Sequence, residues 1–186
     1  IRKNFSTGTI EITNQPLDLA IEGSGLFQVR LPDGSTAYTR AGNFHMDAEG
    51  NILTPNGHPL EPSIRAPRNV TDIVINEEGR VFVQVGDEAQ PREIGQILLA
   101  NFQNQNGLKE TGQNLYVETA ASGQPELVIP GRDGVGIVKQ RALEFSNVNI
   151  IEELMTMLLT QRAFELITKT INMSDSMLKT ASDIGK

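Results

Sequence analysis

The sequence predicts a mainly β chain, with antiparallel strands in an irregular barrel or sandwich-like domain, that ends in one long α-helix. Three observations carry this. Short apolar runs separated by glycine-containing turns recur from residue 1 to about 145. Residues 137–184 contain no Gly and no Pro, the residues that most strongly interrupt regular structure. After residue 145 the apolar positions recur every seven residues, a period that belongs to a helix. The division expected is a β-rich domain over 1–145 and a helical segment over 146–186.

In the first part, runs at 17–23 and 26–31 are followed by Asp33 and Gly34 and then by an extended stretch at 36–40. A run, a D-G turn and a returning run form a hairpin, because the turn needs a positive φ that Gly and Asp tolerate. The pattern repeats with 43–47 and 52–54 around Glu49 and Gly50, and with 73–75 and 81–85 around Glu78 and Gly79. Asn56 and Gly57 mark a further turn. Val81, Val83 and Val85 share one strand face, while Phe82 and Gln84 take the other. Further strands are expected at 94–102, 115–118 and 137–145, with turn-rich stretches at 104–107 and 120–136.

The helix is expected from about 150 to 182, which at about 1.5 Å per residue is roughly 50 Å long. Asn149 and Glu152 stand at capping-box spacing, and Glu152 and Glu153 place negative charge in the first turn. Ile150, Met157, Phe164, Ile171 and Leu178 form the seven-residue line, flanked by Leu154, Ala163, Ile167, Met177 and Ala181. Such a line is the seam of a helix that packs along another helix. The alternative is a stripe lying on the chain's own sheet. No second helical pattern is present to pair with it, so the partner is expected in another chain or in a segment upstream. Without that partner the helix is expected to fray.

Composition removes several function classes. The net charge is −7 with charges interspersed and no basic patch, so no nucleic-acid partner is expected. Seven Phe, two Tyr and no Trp offer little aromatic stacking surface for bases or sugars. No run approaches the ~18 apolar residues of a membrane span, and no signal peptide is visible. With no Cys, disulfides and thiolate metal sites are excluded, and the chain suits passage across a membrane unfolded. It opens on Ile1 and not on Met, so a piece of a longer protein is expected.

Chemistry-bearing motifs are missing as well. His45 and Asp47 could share a strand face, but with His58 they make no convergent set of three or four metal ligands. Gly23, Ser24 and Gly25 fail the phosphate-loop spacing because Gln stands at position 28. The stretch DAEGN at 47–51 has its Gly too early for a calcium loop and lacks the closing Glu. No carboxylate pair stands out as an acid and base. No metal, cofactor or enzymatic activity is expected.

Three stretches then acquire a common meaning: NQPLDLAIEGSGLFQV at 14–29, YTRAGNFHMDAEGNILTPNG at 38–57 and SNVNIIEELMTMLLTQRAFE at 146–165. With GLKETGQNLYVETAASG at 107–123, in this order and spacing, the chain resembles the bacterial flagellar rod and hook protein family. The resemblance implies a self-assembling structural protein, exported unfolded by the flagellar type III route and polymerised into a hollow helical shaft that carries motor torque to the hook. It implies an outer β-domain and an inner layer of paired N- and C-terminal helices. The N-terminal helix of that family has no counterpart in these residues. Length and motif order fit a distal rod member, with hook or proximal rod members as alternatives.

The resemblance also implies residue roles. Ile150, Leu154, Met157, Phe164, Ile167, Ile171 and Leu178 would line a helix–helix assembly interface, with Gln161 and Arg162 bonding to neighbouring subunits or standing solvated. Ser146, Asn147 and Asn149 would set the helix start. Gly23, Gly25, Gly42, Gly50 and Gly57 would serve turn geometry. Partners would be copies of the chain, proximal rod and hook proteins and surrounding ring proteins, in the basal body. A β-rich binding module on a coiled-coil stalk and a carbohydrate-active enzyme are the rival classes.

Overall fold

The computed structural model describes residues 7–86, 90–147 and 150–184, and the helix side chains at 151 and 154–178. In chain order the described elements are β1 (Thr9–Ile12), β2 (Leu19–Glu22), β3 (Leu26–Arg30), β4 (Thr36–Thr39), β5 (His45–Met46), β6 (Ile52–Leu53), β7 (Leu60–Glu61) and β8 (Val70–Ile75). They continue with β9 (Arg80–Val85), β10 (Arg92–Gln96), β11 (Leu99–Asn101), β12 (Lys109–Gly112), β13 (Leu115–Val117), β14 (Glu126–Val128), β15 (Ile137–Gln140), β16 (Ala142–Phe145) and α1 (Ile150–Ile184). A 3-10 turn occupies Gln105–Gly107. The chain separates into two compact units, Ile1–Asn147 and Val148–Lys186.

The three hairpins read from the turn chemistry are present. β3 pairs antiparallel with β4 across the turn at Asp33, with Phe27 opposite Thr39 and Arg30 opposite Thr36. β5 pairs with β6, and β8 with β9. Val81 and Val83 are buried while Gln84 is exposed, as the strand alternation requires.

The sheets stay open and do not close into a barrel. The largest runs β12-β13-β4-β3-β11-β14. One edge of β3 is shared: Leu26 and Phe27 pair with β11, while Gln28 and Val29 pair with β7. β3 is therefore central, and four of its five residues are buried. Its two faces feed two cores. Phe27 and Val29 join Leu19, Ile21, Leu60, Val81, Val83 and Ile97 in the main cluster. Leu26 joins Tyr38, Ala100, Phe102 and Leu108 in a smaller one. Edge-to-face ring contacts pin each cluster, Phe27 on Phe44 at 5.2 Å and Tyr38 on Phe102 at 4.8 Å.

Two expected strands are each split. The run 94–102 becomes β10, which pairs with β9, and β11, which pairs with β3 and β14. Between them Ile97 is fully buried and its N–H bonds to the Gly79 carbonyl at 2.7 Å, so the chain steps from one sheet to the next through the core. The run 137–145 becomes β15 and β16, broken at Arg141 with φ of 60°. β15 pairs with β2, and β16 pairs with β1. Gln140, at the break, braces a third sheet. Its Nε2 donates to the carbonyls of Ile73 at 2.8 Å and Pro16 at 2.7 Å, and its Oε1 accepts from the N–H of Ile75 at 3.0 Å.

Candidate functional site

The β1–β16 ladder sets Thr9 opposite Phe145 and Ile12 opposite Ala142, so both ends of the β-unit lie at one place. Gly8 sits there against the backbone: a Cβ would fall 1.7 Å from the Phe145 carbonyl oxygen. The Gly8 N–H donates to Glu144 Oε1 at 2.7 Å. The other oxygen of that carboxylate accepts from Arg40 Nε at 2.5 Å.

Arg40 is the third residue of the YTRAGNF stretch, just past β4, and it organises this base. Nη1 donates to the Gly25 carbonyl, and Nη2 to the carbonyls of Ile21 and Gly23, all at 2.7 Å. Four of its five N–H donors are thus used within the chain. The Gly23–Ser24–Gly25 loop turns carbonyls toward a cation, the opposite polarity from an anion cradle, and its glycines hold φ of 120° and 126°. Gly42 differs from the expectation that turn geometry explains it. Its φ is not positive; it is held by close approach, since a Cβ there would lie 1.6 Å from the Leu19 carbonyl oxygen.

A cleft of about 290 Å³ opens beside this network, lined by Gly8, Ser24, Arg40, Tyr116, Glu144 and Ser146 among others. Nearby, burial raises the Tyr38 hydroxyl to a pKa of about 12, with Glu118 and Glu61 adding to the shift. Burial, followed by Glu110, raises Tyr116 as well. Among the described residues no three His, Asp or Glu side chains converge on a possible cation, so His45, Asp47 and His58 are not brought together as ligands. Asp47 is instead the acceptor of the hairpin turn, held below its usual range by Asn51, whose side-chain amide bonds to it at 2.8 Å.

The helix presents a different surface. Leu154, Met157, Phe164, Ile167, Ile171 and Leu178 are all more than half exposed, Phe164 most of all at 70%. Gln161 and Arg162 are exposed on the same element. The side chain of Ile150 and the whole of Asn149 lie outside the described residues, as do the side chains of Glu152, Glu153 and Ala181. Ser146 and Asn147 belong to the cleft wall at the end of β16.

A feature escaped the sequence reading. Leu159, Leu166 and Met173 form a second seven-spaced row, each more than half exposed. Two positions along a helix is a rotation of about 200°, so this row lies opposite Met157, Phe164 and Ile171. The helix is apolar on two faces, the pattern of a helix enclosed by neighbours and not of one lying on a surface. The signal was present as a second heptad line beside the first.

Comparison with known proteins follows the same segments. Residues 20–83 match the family described as the flagellar hook protein FlgE/F/G D1 domain, and residues 139–184 that described as the flagellar basal body rod FlgEFG protein C-terminal. The chain is 45% identical over 177 residues to the flagellar basal-body rod protein FlgG of Caulobacter vibrioides, covering 95% of this chain and 68% of that protein. Against the protein of the same name from Borreliella burgdorferi it is 43% identical over 182 residues, 97% of this chain and 69% of the relative. Similarity to the flagellar hook protein FlgE of Salmonella typhimurium is lower, 33% over 148 residues, 80% of this chain and 36% of that protein.

Proposed function

The chain belongs to the flagellar basal-body rod protein family, and on that premise we propose that it is a self-assembling structural subunit of the distal rod and carries no catalytic activity. Greater identity and coverage toward rod proteins than toward the hook protein favours the distal rod over the hook. Its place is the rod of the flagellar basal body, where it joins copies of itself and the neighbouring axial proteins into the shaft. Residues 1–145 form the outer β-domain and residues 146–186 the inner-layer helix.

The observation that carries this reading is the helix with large apolar side chains exposed on two opposite faces. Burying one such side chain is worth about 1.5–3 kcal/mol, so a row of them is a strong drive to assemble. Ile150, Leu154, Met157, Phe164, Ile167, Ile171 and Leu178 make one interface. Gln161 and Arg162 provide polar contacts beside it, and Ser146, Asn147 and Asn149 fix where the helix begins. Leu159, Leu166 and Met173 meet a second neighbour.

The test is motility and rod completion in a strain whose only copy carries Phe164→Asp and Ile171→Asp. Loss of both is expected, with the β-unit still folded. Normal swimming by such a strain would remove the interface from the account.

A further inference from the structure

Within the described β-unit, Arg68, Arg92 and Lys109 are the cations with neither a carboxylate nor a carbonyl partner. Two of the three, Arg68 and Arg92, line one open groove of about 500 Å³. Arg65 lines it too, and its Nε is fixed on the Glu49 carbonyl at 2.9 Å, which leaves the terminal nitrogens of its fork without a described partner. Ala66 and Pro67 lie between the arginines, and the start of β10 forms the far wall. The backbone beneath is fixed, because the Ala66 N–H bonds to the Gly50 carbonyl at 2.8 Å. Two carboxylates line the groove as well. Glu93 is engaged by Arg80 at 3.5 Å, and Glu49 is the second. The groove keeps an excess of guanidinium forks on a chain whose net charge is −7.

We propose that this groove is a docking site for exposed carboxylates of a second copy of the chain, a contact between β-units made in addition to the helix layer. The inference rests on the reading of the chain as a self-assembling subunit. Planar guanidinium forks match carboxylates in bidentate geometry. A chain that is acidic elsewhere and locally basic here is complementary to itself at two different places. A contact of that kind is heterologous, and where its rotation does not close into a ring it repeats as an open helical shaft needs. Acidic surfaces would otherwise repel along such a shaft, so the groove also sets which faces meet.

The experiment is sedimentation of the full chain at low and high salt, with three single reversals that change the net charge equally: Arg68→Glu, Arg92→Glu and Lys109→Glu. Low-salt self-association that weakens at high salt is expected for the wild type. Arg68→Glu and Arg92→Glu should each weaken it by about tenfold, while Lys109→Glu, the unpaired cation outside the groove, should leave it nearly unchanged. A wild type that is monomeric at low salt overturns the proposal, as do three reversals with equal effects. Phe164→Asp separates the two readings. Association lost in that variant but intact in both arginine variants keeps the helix interface and removes the groove. The reverse result keeps the groove and removes the helix interface.

Discussion

Replacing Arg40 by Met keeps most of the aliphatic stem and removes the guanidinium, which isolates the network at the base of the β-unit. The Arg40 and Glu144 side chains are only 23% and 11% exposed, so their ion pair is largely shielded from water. Removing one partner of a buried pair costs about 3–5 kcal/mol, because the other charge is left behind. The partial exposure of Arg40 lets water reach the site, and the lower end, about 3 kcal/mol, is expected. For a domain near 150 residues each kcal/mol moves Tm by about 2–4 °C, so the variant should melt roughly 6–12 °C lower. Tyrosine fluorescence is the right probe: the chain has no Trp, and its two tyrosines, Tyr38 and Tyr116, both report on the β-unit and not on the helix. A cycle with Glu144→Gln should give a coupling of about 1.5–3 kcal/mol. A Tm change below about 2 °C, or additive single effects, would refute the view that this network holds the base together.

Other outcomes follow from the same packing. Gly42→Ala would drive a methyl onto the Leu19 carbonyl oxygen at 1.6 Å, so a loss of more than about 3 kcal/mol is expected, read as soluble yield and denaturant midpoint. A midpoint like the wild type's would mean that the backbone there moves freely. Tyr38, raised from 10.0 to about 12, favours the neutral phenol in the folded chain. Its contribution is therefore complete below pH 10 and disappears between pH 10 and about 12, worth about 2–3 kcal/mol at 1.36 kcal/mol per unit. Stability measured across that window should fall in the wild type and fall less steeply in Tyr38→Phe; identical curves would exclude Tyr38 as the cause.

What could be read in the sequence was local. The turns at Gly34, Gly50 and Gly79 fix three hairpins because positive φ and an apolar run on either side leave few alternatives. The helix was legible because 35 residues without Gly or Pro keep one period. What stayed hidden depends on distance along the chain. β1 carries only four residues, mostly exposed, and becomes a strand because β16 lies beside it. β7, β12 and β14 are short or polar and are likewise set by their neighbours. The run 94–102 reads as one strand because no turn signal stands between its halves; that they serve different sheets is decided by the core around Ile97. In the site, Arg40 marked the family resemblance but showed no role. An arginine whose acceptors come from residues 21–25 and 144 leaves no periodic trace.

The pairing of Thr9 with Phe145 has a mechanical consequence. A pull applied between the two ends of the β-unit would act across the first rung of an antiparallel ladder. It would open the rungs one after another, as a zipper opens, and would not load them together in shear. That is the weak direction of a sheet. Because entry and exit coincide, a stretch applied to the chain on either side of them would load that first rung and not the length of the sheets.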